Sequence, residues 1–274
     1  IGTDLQKTLF GSLNEKDGFT ILEYFHDKAK WVFSKDIAGC VLKDERCVLD
    51  LVCLDGTSDE VYDAYFQLMG IKPPRMNHAT GRTSWYNYYQ NISETIIEKN
   101  LANFNDENRI DFFQIDDGYQ TAIGDWLSVD PAKFSQGMKS IADKIHAKGM
   151  KAGIWLAPFV AETKSQIFHD HPEWFIKDEQ GEFVCGGSNW SGFYALDLDR
   201  SEVRDHLRAV FDVVLNDWGY DMVKLDFLYA ACMLPRNNKS RGQLMAEAML
   251  FVRDCVKEKF ILGTNGFVLK VVQF

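Results

Sequence analysis

The pattern of apolar and polar residues changes along this chain and predicts two regions that differ in secondary structure. Residues 1–55 contain short runs of β-branched and aromatic residues separated by polar turns such as NEKDG, a pattern typical of β-strands. From residue 83 onward, short apolar runs alternate with segments in which apolar residues recur at helical spacing. The second region is therefore predicted to repeat strand and helix.

A short helix and a linker are predicted between these regions. Ser58 is predicted to cap the helix, which ends at Gly70. Pro73 and Pro74 then stop it and begin the linker, where we predict a domain boundary. The two predicted domains are residues 1–72, a β-rich region with its linker helix, and residues 73–274.

The second region contains four predicted strands and the start of a fifth. The strands, in chain order, are TSWYNYY, IDFFQIDD, MKAGIWLAPF and YDMVKLDF, followed by FILGTN. Ser93 and Asp199 are predicted to open the first and third helices. A long excursion over residues 160–196 follows the third strand, and its segment KDEQGEFVCGG is expected to form a hairpin or lid.

This alternation predicts an α/β fold. Strands that are apolar almost throughout, with helices between them, are typical of a parallel sheet covered by helices. Polar residues gather where the predicted strands end, as in a (β/α)8 barrel. A doubly wound sheet is less favoured because no glycine-rich phosphate loop follows the first strand. A complete barrel needs eight units, so we expect a partial barrel, about its first half.

Lys224 and Asp226 are the charged residues of the fourth predicted strand. Side chains alternate along a strand, so both project from one face while Val223, Leu225 and Phe227 project from the other. A lysine beside an aspartate favours the ionised carboxylate that a nucleophile needs. A buried salt bridge that fixes strand register is the alternative, and the strand alone leaves both open.

Asp116 and Asp117 end the second predicted strand, and Gly118 lets the chain turn after them. Adjacent carboxylates repel each other unless a ligand or hydrogen-bond donors satisfy them. Sugar hydroxyls would suit them, and so would a divalent metal. An aspartate-rich surface turn is the alternative.

Trp155 lies at the tip of the third predicted strand, on the face that it shares with the small residues Gly153 and Ala157. It is predicted either to form an aromatic wall for a sugar ring or to be a core residue. Trp85 and Trp126 are weaker candidates for the same role. His169 and His171 have no third ligand nearby and are interpreted as surface residues, so no metal site is predicted.

The composition of the chain narrows the range of binding partners that we expect. The net charge of −10 and the pI near 5.1 disfavour nucleic acid and anionic membranes, and no apolar run approaches membrane-spanning length. Six cysteines without a CxxC pair or a zinc-like cluster predict reduced, buried cysteines of a cytoplasmic protein. The sequence leaves open whether the protein forms a homo-oligomer.

The chain resembles the glycoside hydrolase family 36 α-galactosidases, or melibiases, in the order and content of its motifs. These motifs are SWYNYY, FQIDDGYQ with IGDW, AGIWLAPF and VKLDFLYA, followed by ILG. The resemblance covers most of residues 60–263 and implies a (β/α)8 catalytic barrel preceded by a β-sandwich domain. Residues 1–55 would match only the last part of that sandwich. It also implies hydrolysis of terminal α-linked galactose from melibiose- or raffinose-like sugars, with retention of configuration and without a cofactor.

The same resemblance implies a role for each candidate residue. Asp226 matches the catalytic nucleophile, and Lys224 matches a lysine that contacts the sugar. Asp116 and Asp117 match the acidic pair that binds the galactose hydroxyls. The three tryptophans are assigned to substrate binding. Trp155 matches the tryptophan that lines the galactose subsite, and Trp126 and Trp85 are weaker matches.

The family's acid/base aspartate lies further downstream, and we expect it to be absent from this chain. No carboxylate follows Glu258, and the tail from Thr264 to Phe274 aligns with nothing in the family. We therefore expect this chain to be a family member that is truncated at both ends and whose activity by itself is doubtful. A raffinose-synthase-like galactosyltransferase and a non-catalytic galactose-binding module are the alternatives, and a metal-dependent barrel hydrolase is a more distant one.

Overall fold

The computed structural model describes most of the chain in two compact units. The described residues are 6–41, 43, 45–72, 76, 78–105 and 107–263. Within them, the first unit comprises residues up to 72 together with 232–250, and the second comprises 76–231 and 251–263. The predicted domain boundary adjoins Pro73 and Pro74, which lie outside the described residues, as does the tail from Thr264. That boundary stays a prediction.

The N-terminal part of the first unit is built from two antiparallel strand pairs and a helix. Its elements are β1 (Lys7–Ser12), β2 (Phe19–Phe25), β3 (Lys30–Asp36), β4 (Leu51–Gly56) and α1 (Ser58–Leu68). β1 pairs with β4, and β2 pairs with β3. The β-rich character predicted for this region is therefore confirmed.

The cap of α1 differs from the prediction by one residue. Thr57, and not Ser58, is the N-cap, because its hydroxyl accepts a hydrogen bond from the Glu60 amide while the Glu60 carboxylate accepts one from the Thr57 amide. This reciprocal pair is a capping box. Gly70 follows the helix with φ +65°, a left-handed conformation that favours glycine.

The second unit contains a parallel sheet with helices between its strands. Its elements begin with β5 (Gly81–Thr83), α2 (Trp85–Tyr88), α3 (Glu94–Leu101), β6 (Phe112–Ile115), α4 (Gly137–Ala147), β7 (Lys151–Leu156), β8 (Val160–Glu162) and α5 (Gln166–Asp170). They continue with β9 (Cys185–Gly187), β10 (Phe193–Ala195), α6 (Ser201–Asp212), β11 (Met222–Leu225), α7 (Arg241–Val256, which begins in the first unit) and β12 (Phe260–Gly263).

Among the described residues, the parallel strands have the order β12-β11-β7-β6-β5. The rings of Phe112 on β6 and Phe260 on β12 lie 5.3 Å apart although two strands separate them. The sheet is therefore curved, as part of a barrel wall is. The apolar faces of α3, α4 and α6 are buried, as their spacing predicts. The α/β fold with a parallel half-barrel sheet is confirmed.

One predicted strand is mostly a helix. In TSWYNYY only the first residue belongs to β5, and Trp85–Tyr88 form α2. The last ladder bond runs from the Ser84 amide to the Gln114 carbonyl, and the Tyr88 amide then bonds back to the Ser84 carbonyl. Aromatic residues favour strands, but the short neighbouring strand leaves no partner beyond Ser84.

The excursion after β7 is a small antiparallel sheet of order β8-β10-β9. Its predicted hairpin is present as a turn closed by the bridge between Lys177 and Phe183. The following helix, α6, begins at Ser201 and not at Asp199. Asp197 and Asp199 lie in a turn before it, where the Asp197 side chain accepts a bond from the Asp199 amide.

The cysteines are free, but the prediction that they are buried is wrong for all except Cys232, since Cys40 and Cys255 are only partly buried. Cys232 is buried, whereas Cys47, Cys53 and Cys185 are exposed. Burial raises the pKa of the Cys232 thiol to about 11. No helix in the part of the chain that the structure describes is long and apolar enough to cross a membrane.

Candidate active site

Asp116 and Asp117 are deeply buried directly after β6, where they are 2 % and 1 % exposed. β6 is buried at every position, so its end carries both carboxylates into the interior. Gly118 turns the chain there with φ +117°, and a side chain at this position would collide with the Gln90 carbonyl. This burial excludes the aspartate-rich surface turn.

Asp116 is held by donors from three strands of the sheet, β5, β6 and β11. Its Oδ2 accepts hydrogen bonds from the Thr83 hydroxyl at 3.1 Å and from Gln114 Nε2 at 3.1 Å, and it lies 2.5 Å from Lys224 Nζ. The Ser84 hydroxyl accepts a bond from the Asp116 amide. The orientation of this carboxylate is therefore fixed.

The partner of Lys224 differs from the prediction. The sequence pairs Lys224 with Asp226 along one strand, but its ammonium forms an ion pair with Asp116 across β7. Gly153 lies on β7 in register with Gln114 and Met222, and both approach it so closely that a side chain there would collide. Strand alternation predicted the face from which Lys224 projects correctly, but not how far its long side chain reaches.

Asp117 is surrounded by amide and indole donors. Its Oδ1 accepts a bond from Gln120 Nε2 at 2.6 Å, and its Oδ2 accepts bonds from Gln90 Nε2 at 2.8 Å and Trp190 Nε1 at 3.0 Å. Sequence reasoning missed all three donors. Gln120 lies two positions after DDG and could have been noticed, whereas Gln90 and Trp190 are brought in by loops distant in sequence.

Asp226 lies one residue beyond the end of β11. Its amide donates to the Leu156 carbonyl, its Oδ1 accepts a bond from the Phe227 amide at 2.9 Å, and its Oδ2 accepts one from Trp155 Nε1 at 3.3 Å. Phe227 has φ +52°, an unusual value for a bulky residue, which marks a sharp turn immediately after the carboxylate. Asp226 is partly exposed, in contrast to the buried Asp116 and Asp117.

The predicted tryptophans occupy different surroundings. Trp155 is buried and contacts Trp126 with ring centroids 5.6 Å apart, so its indole joins the core to the Asp226 carboxylate. Trp126 is also buried, lies behind Trp155, and its indole nitrogen has no hydrogen-bond partner in the described structure. Trp85 is half-buried and packs on Tyr89. The structure brings Trp155 to the acidic residues and leaves the other two outside their hydrogen bonds.

Two tyrosines near the carboxylates are held in the protonated form. Burial raises the pKa of Tyr119 well above its usual value, with further contributions from Tyr220 and Asp117. Burial also raises the pKa of Tyr229, helped by the negative charge of Asp226. Both phenols act as donors, Tyr119 to the Trp155 carbonyl and Tyr229 to the Gly186 carbonyl.

The site thus gathers a partly exposed aspartate, a buried acidic pair and an indole at the carboxyl ends of β6, β7 and β11. Carboxylates whose orientation is fixed by hydrogen-bond donors can bind vicinal hydroxyls. A carboxylate that is exposed can attack an electrophilic carbon. Among the described residues, no group of three histidine, cysteine or acidic side chains is arranged to hold a metal ion.

Comparisons with known proteins agree with this arrangement. An α-galactosidase of Thermus thermophilus, solved with p-nitrophenyl α-D-galactopyranoside, is 28% identical with a TM-score of 0.77, and the match covers 99% of this chain and 53% of that protein. Alpha-galactosidase 2 of Pediococcus pentosaceus is 27% identical over 179 residues, 63% of this chain and 24% of the relative. Alpha-galactosidase Mel36A of Lactobacillus acidophilus is 26% identical over 57% of this chain and 21% of its own length.

The chain therefore spans about a quarter of these curated relatives and about half of the Thermus protein. The family model described as melibiase matches residues 77–257, which include every predicted site residue. The resemblance predicted from the motifs is confirmed, and the chain belongs to the melibiase family of glycoside hydrolases.

Proposed function

We propose that this chain carries the galactose-binding subsite and the nucleophile of a retaining α-galactosidase. The observation that supports the proposal is the position of Asp226, which is partly exposed and bonded to the Trp155 indole at the same sheet edge as the buried acidic pair. Both curated relatives named above are α-galactosidases, and the Thermus thermophilus enzyme was also solved with stachyose. The substrate class is an oligosaccharide with a terminal α-linked galactose.

In this proposal the acidic pair holds the sugar while Asp226 attacks it. Asp116, neutralised by Lys224, and Asp117, held by its amide donors, accept hydrogen bonds from galactose hydroxyls. The Trp155 indole, which donates to Asp226, lines the subsite. Asp226 then attacks the anomeric carbon from the face opposite the leaving group and forms a covalent galactosyl ester.

Retention also requires an acid/base carboxyl about 5–5.5 Å from the nucleophile. It protonates the leaving oxygen and later takes a proton from the water that releases galactose. Asp116 and Asp117 are already committed to an ion pair and to amide donors. We therefore propose that the acid/base carboxyl comes from outside residues 6–263, and that residues 6–56 form part of the β-sandwich that precedes the barrel.

The test is hydrolysis of 4-nitrophenyl α-galactoside by the full-length gene product and its Asp226→Asn variant. The proposal expects turnover by the wild type and none by the variant, because an amide cannot act as the nucleophile. Asp254→Asn removes an exposed carboxylate on α7 and should leave the rate unchanged. Wild-type-like turnover by Asp226→Asn would overturn the nucleophile assignment.

Two further outcomes separate the alternatives. Transfer of galactose to an added sugar acceptor in preference to water would favour a galactosyltransferase. Galactose binding that Asp117→Ala abolishes, with no turnover under any condition, would favour a binding module.

We also propose a cytoplasmic location, which the free cysteines support. Fractionation of cells that express the native gene would test it, and recovery outside the cytoplasm would contradict it.

A further inference from the structure

Trp190 lies in a tight turn that the sequence analysis did not single out. The turn, Asn189–Gly192, is closed by a bond of 2.9 Å from the Gly192 amide to the Asn189 carbonyl. Trp190 has φ +57° and Gly192 has φ +83°. Positive φ is unfavourable for a bulky side chain, so the surroundings must hold Trp190 in place.

A buried carboxylate outside the proposed chemistry holds this turn. Glu162, 1 % exposed, accepts a bond from the Ser191 hydroxyl at 3.0 Å through Oε2 and one from the Ile123 amide at 2.9 Å through Oε1. Thr163 adds bonds from its hydroxyl to Ser191 and from its amide to the Gly192 carbonyl. The turn is therefore fixed to the end of β8 at several points.

The indole of Trp190 contacts a residue on or just beyond each of the three strands that carry the site. Its Nε1 donates to Asp117 Oδ2 at 3.0 Å, beyond β6. Its ring centroid lies 6.2 Å from that of Trp155 on β7 and 5.1 Å from that of Phe227, which directly follows Asp226. One side chain thus joins the sugar-binding carboxylate, the lining indole and the residue after the nucleophile.

We propose that Trp190 is a positioning residue for galactose recognition, acting through Asp117, and that the bond between Glu162 and Ser191 sets its place. The inference rests on the proposed function, because it assigns Asp117 to the galactose hydroxyls. Asp117 Oδ2 receives its donors from Gln90 and Trp190, so loss of the indole N–H leaves one of them and lets the carboxylate rotate.

The first experiment measures galactose binding by calorimetry and 4-nitrophenyl α-galactoside kinetics. Trp190→Phe keeps an aromatic ring against Phe227 but removes the N–H donor. It should weaken galactose binding about tenfold or more, the loss expected for a hydrogen bond to a charged group. KM should rise by a similar factor with little change in kcat, because the contact serves ground state and transition state alike. Trp174→Phe, the same change in a tryptophan stacked on His171, should alter neither quantity.

The second experiment is a double-mutant cycle with Asp117→Asn. If Trp190 acts through Asp117, Trp190→Phe should weaken galactose binding far less in the Asp117→Asn background than in the wild type. Equal losses in both backgrounds would overturn the positioning role, as would unchanged binding by a folded Trp190→Phe variant.

Ser191→Ala leaves the indole intact and removes its tether to Glu162. It should also weaken galactose binding, and it provides the test if Trp190→Phe does not fold; unchanged binding by Ser191→Ala would then overturn the inference. A wild-type protein that neither binds galactose nor cleaves the aryl galactoside would instead refute the proposed function.

Discussion

Lys224 shows how a residue of the candidate site also supports the fold. Its ammonium is 12 % exposed and balances the charge of Asp116, whose side chain is 2 % exposed. Removing one partner of a buried ion pair leaves a charge without compensation in a poorly solvated place. The stability of the site therefore depends on Lys224.

We predict that Lys224→Met lowers the free energy of unfolding at pH 7 by about 3 kcal/mol. Urea denaturation monitored by circular dichroism measures this. Lys139→Met is the matched control, because Lys139 pairs with Asp143 on the surface of α4 with both side chains about 60% exposed. Its effect should stay within about 0.5 kcal/mol. Equal losses in the two variants would contradict a special role for the buried pair.

At this scale, strand ends predicted where the carboxylates lie but not what they bind. Asp116, Asp117 and Asp226 follow buried strands, and the carboxyl ends of parallel strands share one edge of the sheet. Trp190 could not be predicted in the same way. Its bond to Asp117 spans 73 positions of sequence and depends on a turn with positive φ, which no local pattern encodes.

At the scale of elements, α3 and α4 are joined by a nearly buried ion pair. Lys144 Nζ lies 2.6 Å from Glu94, and the Glu94 side chain is 11 % exposed. The hydrogen bond from Lys144 lowers the pKa of Glu94 below its usual value of 4.5, and burial only partly opposes this. A lowered pKa in the folded state means that the ionised carboxylate stabilises the fold.

We predict that Glu94→Gln lowers the free energy of unfolding at pH 7 by about 1 kcal/mol. The difference from wild type should be complete above pH 4.5 and should shrink as the pH falls through the lowered pKa, since protonation then removes the charge from the wild type too. Urea denaturation across this range measures it. Glu98 contacts the same lysine but is 46 % exposed, so Glu98→Gln should cost less. A difference that grows on acidification would contradict this account.

Helices could be predicted better than short strands. The apolar spacing of α3, α4 and α6 matched their buried faces, because each presents two or more turns to the sheet. The prediction that TSWYNYY forms a strand was wrong. Its aromatic residues suit a strand as well as a helix, and the short neighbouring strand offered no further backbone partner. The small sheet of the excursion pairs segments far apart in sequence, so only its turn could be predicted.

At the scale of the whole molecule, the curved parallel sheet has two edges among the described residues, β5 and β12. Leu262 on β12 is 47% exposed. Unpaired backbone groups beside an exposed apolar side chain favour pairing with another strand.

We therefore predict that the 274-residue chain self-associates, and that its average mass in sedimentation experiments rises with concentration. Leu262→Lys places a charge on the β12 edge and should reduce the association. A monomer at every concentration, with a sharp cooperative melt, would contradict the prediction.

The central claim, that Asp226 is the nucleophile of a retaining α-galactosidase, is tested most directly by chemical rescue. In Asp226→Ala the carboxylate is replaced by space that azide can enter, and a 2,4-dinitrophenyl α-galactoside has a leaving group that needs no proton from the enzyme. Asp226→Ala should be inactive alone and should form β-galactosyl azide when azide is added, as nuclear magnetic resonance of the product would show. Wild-type-like hydrolysis by Asp226→Ala without azide, or an azide product of α configuration, would contradict the claim.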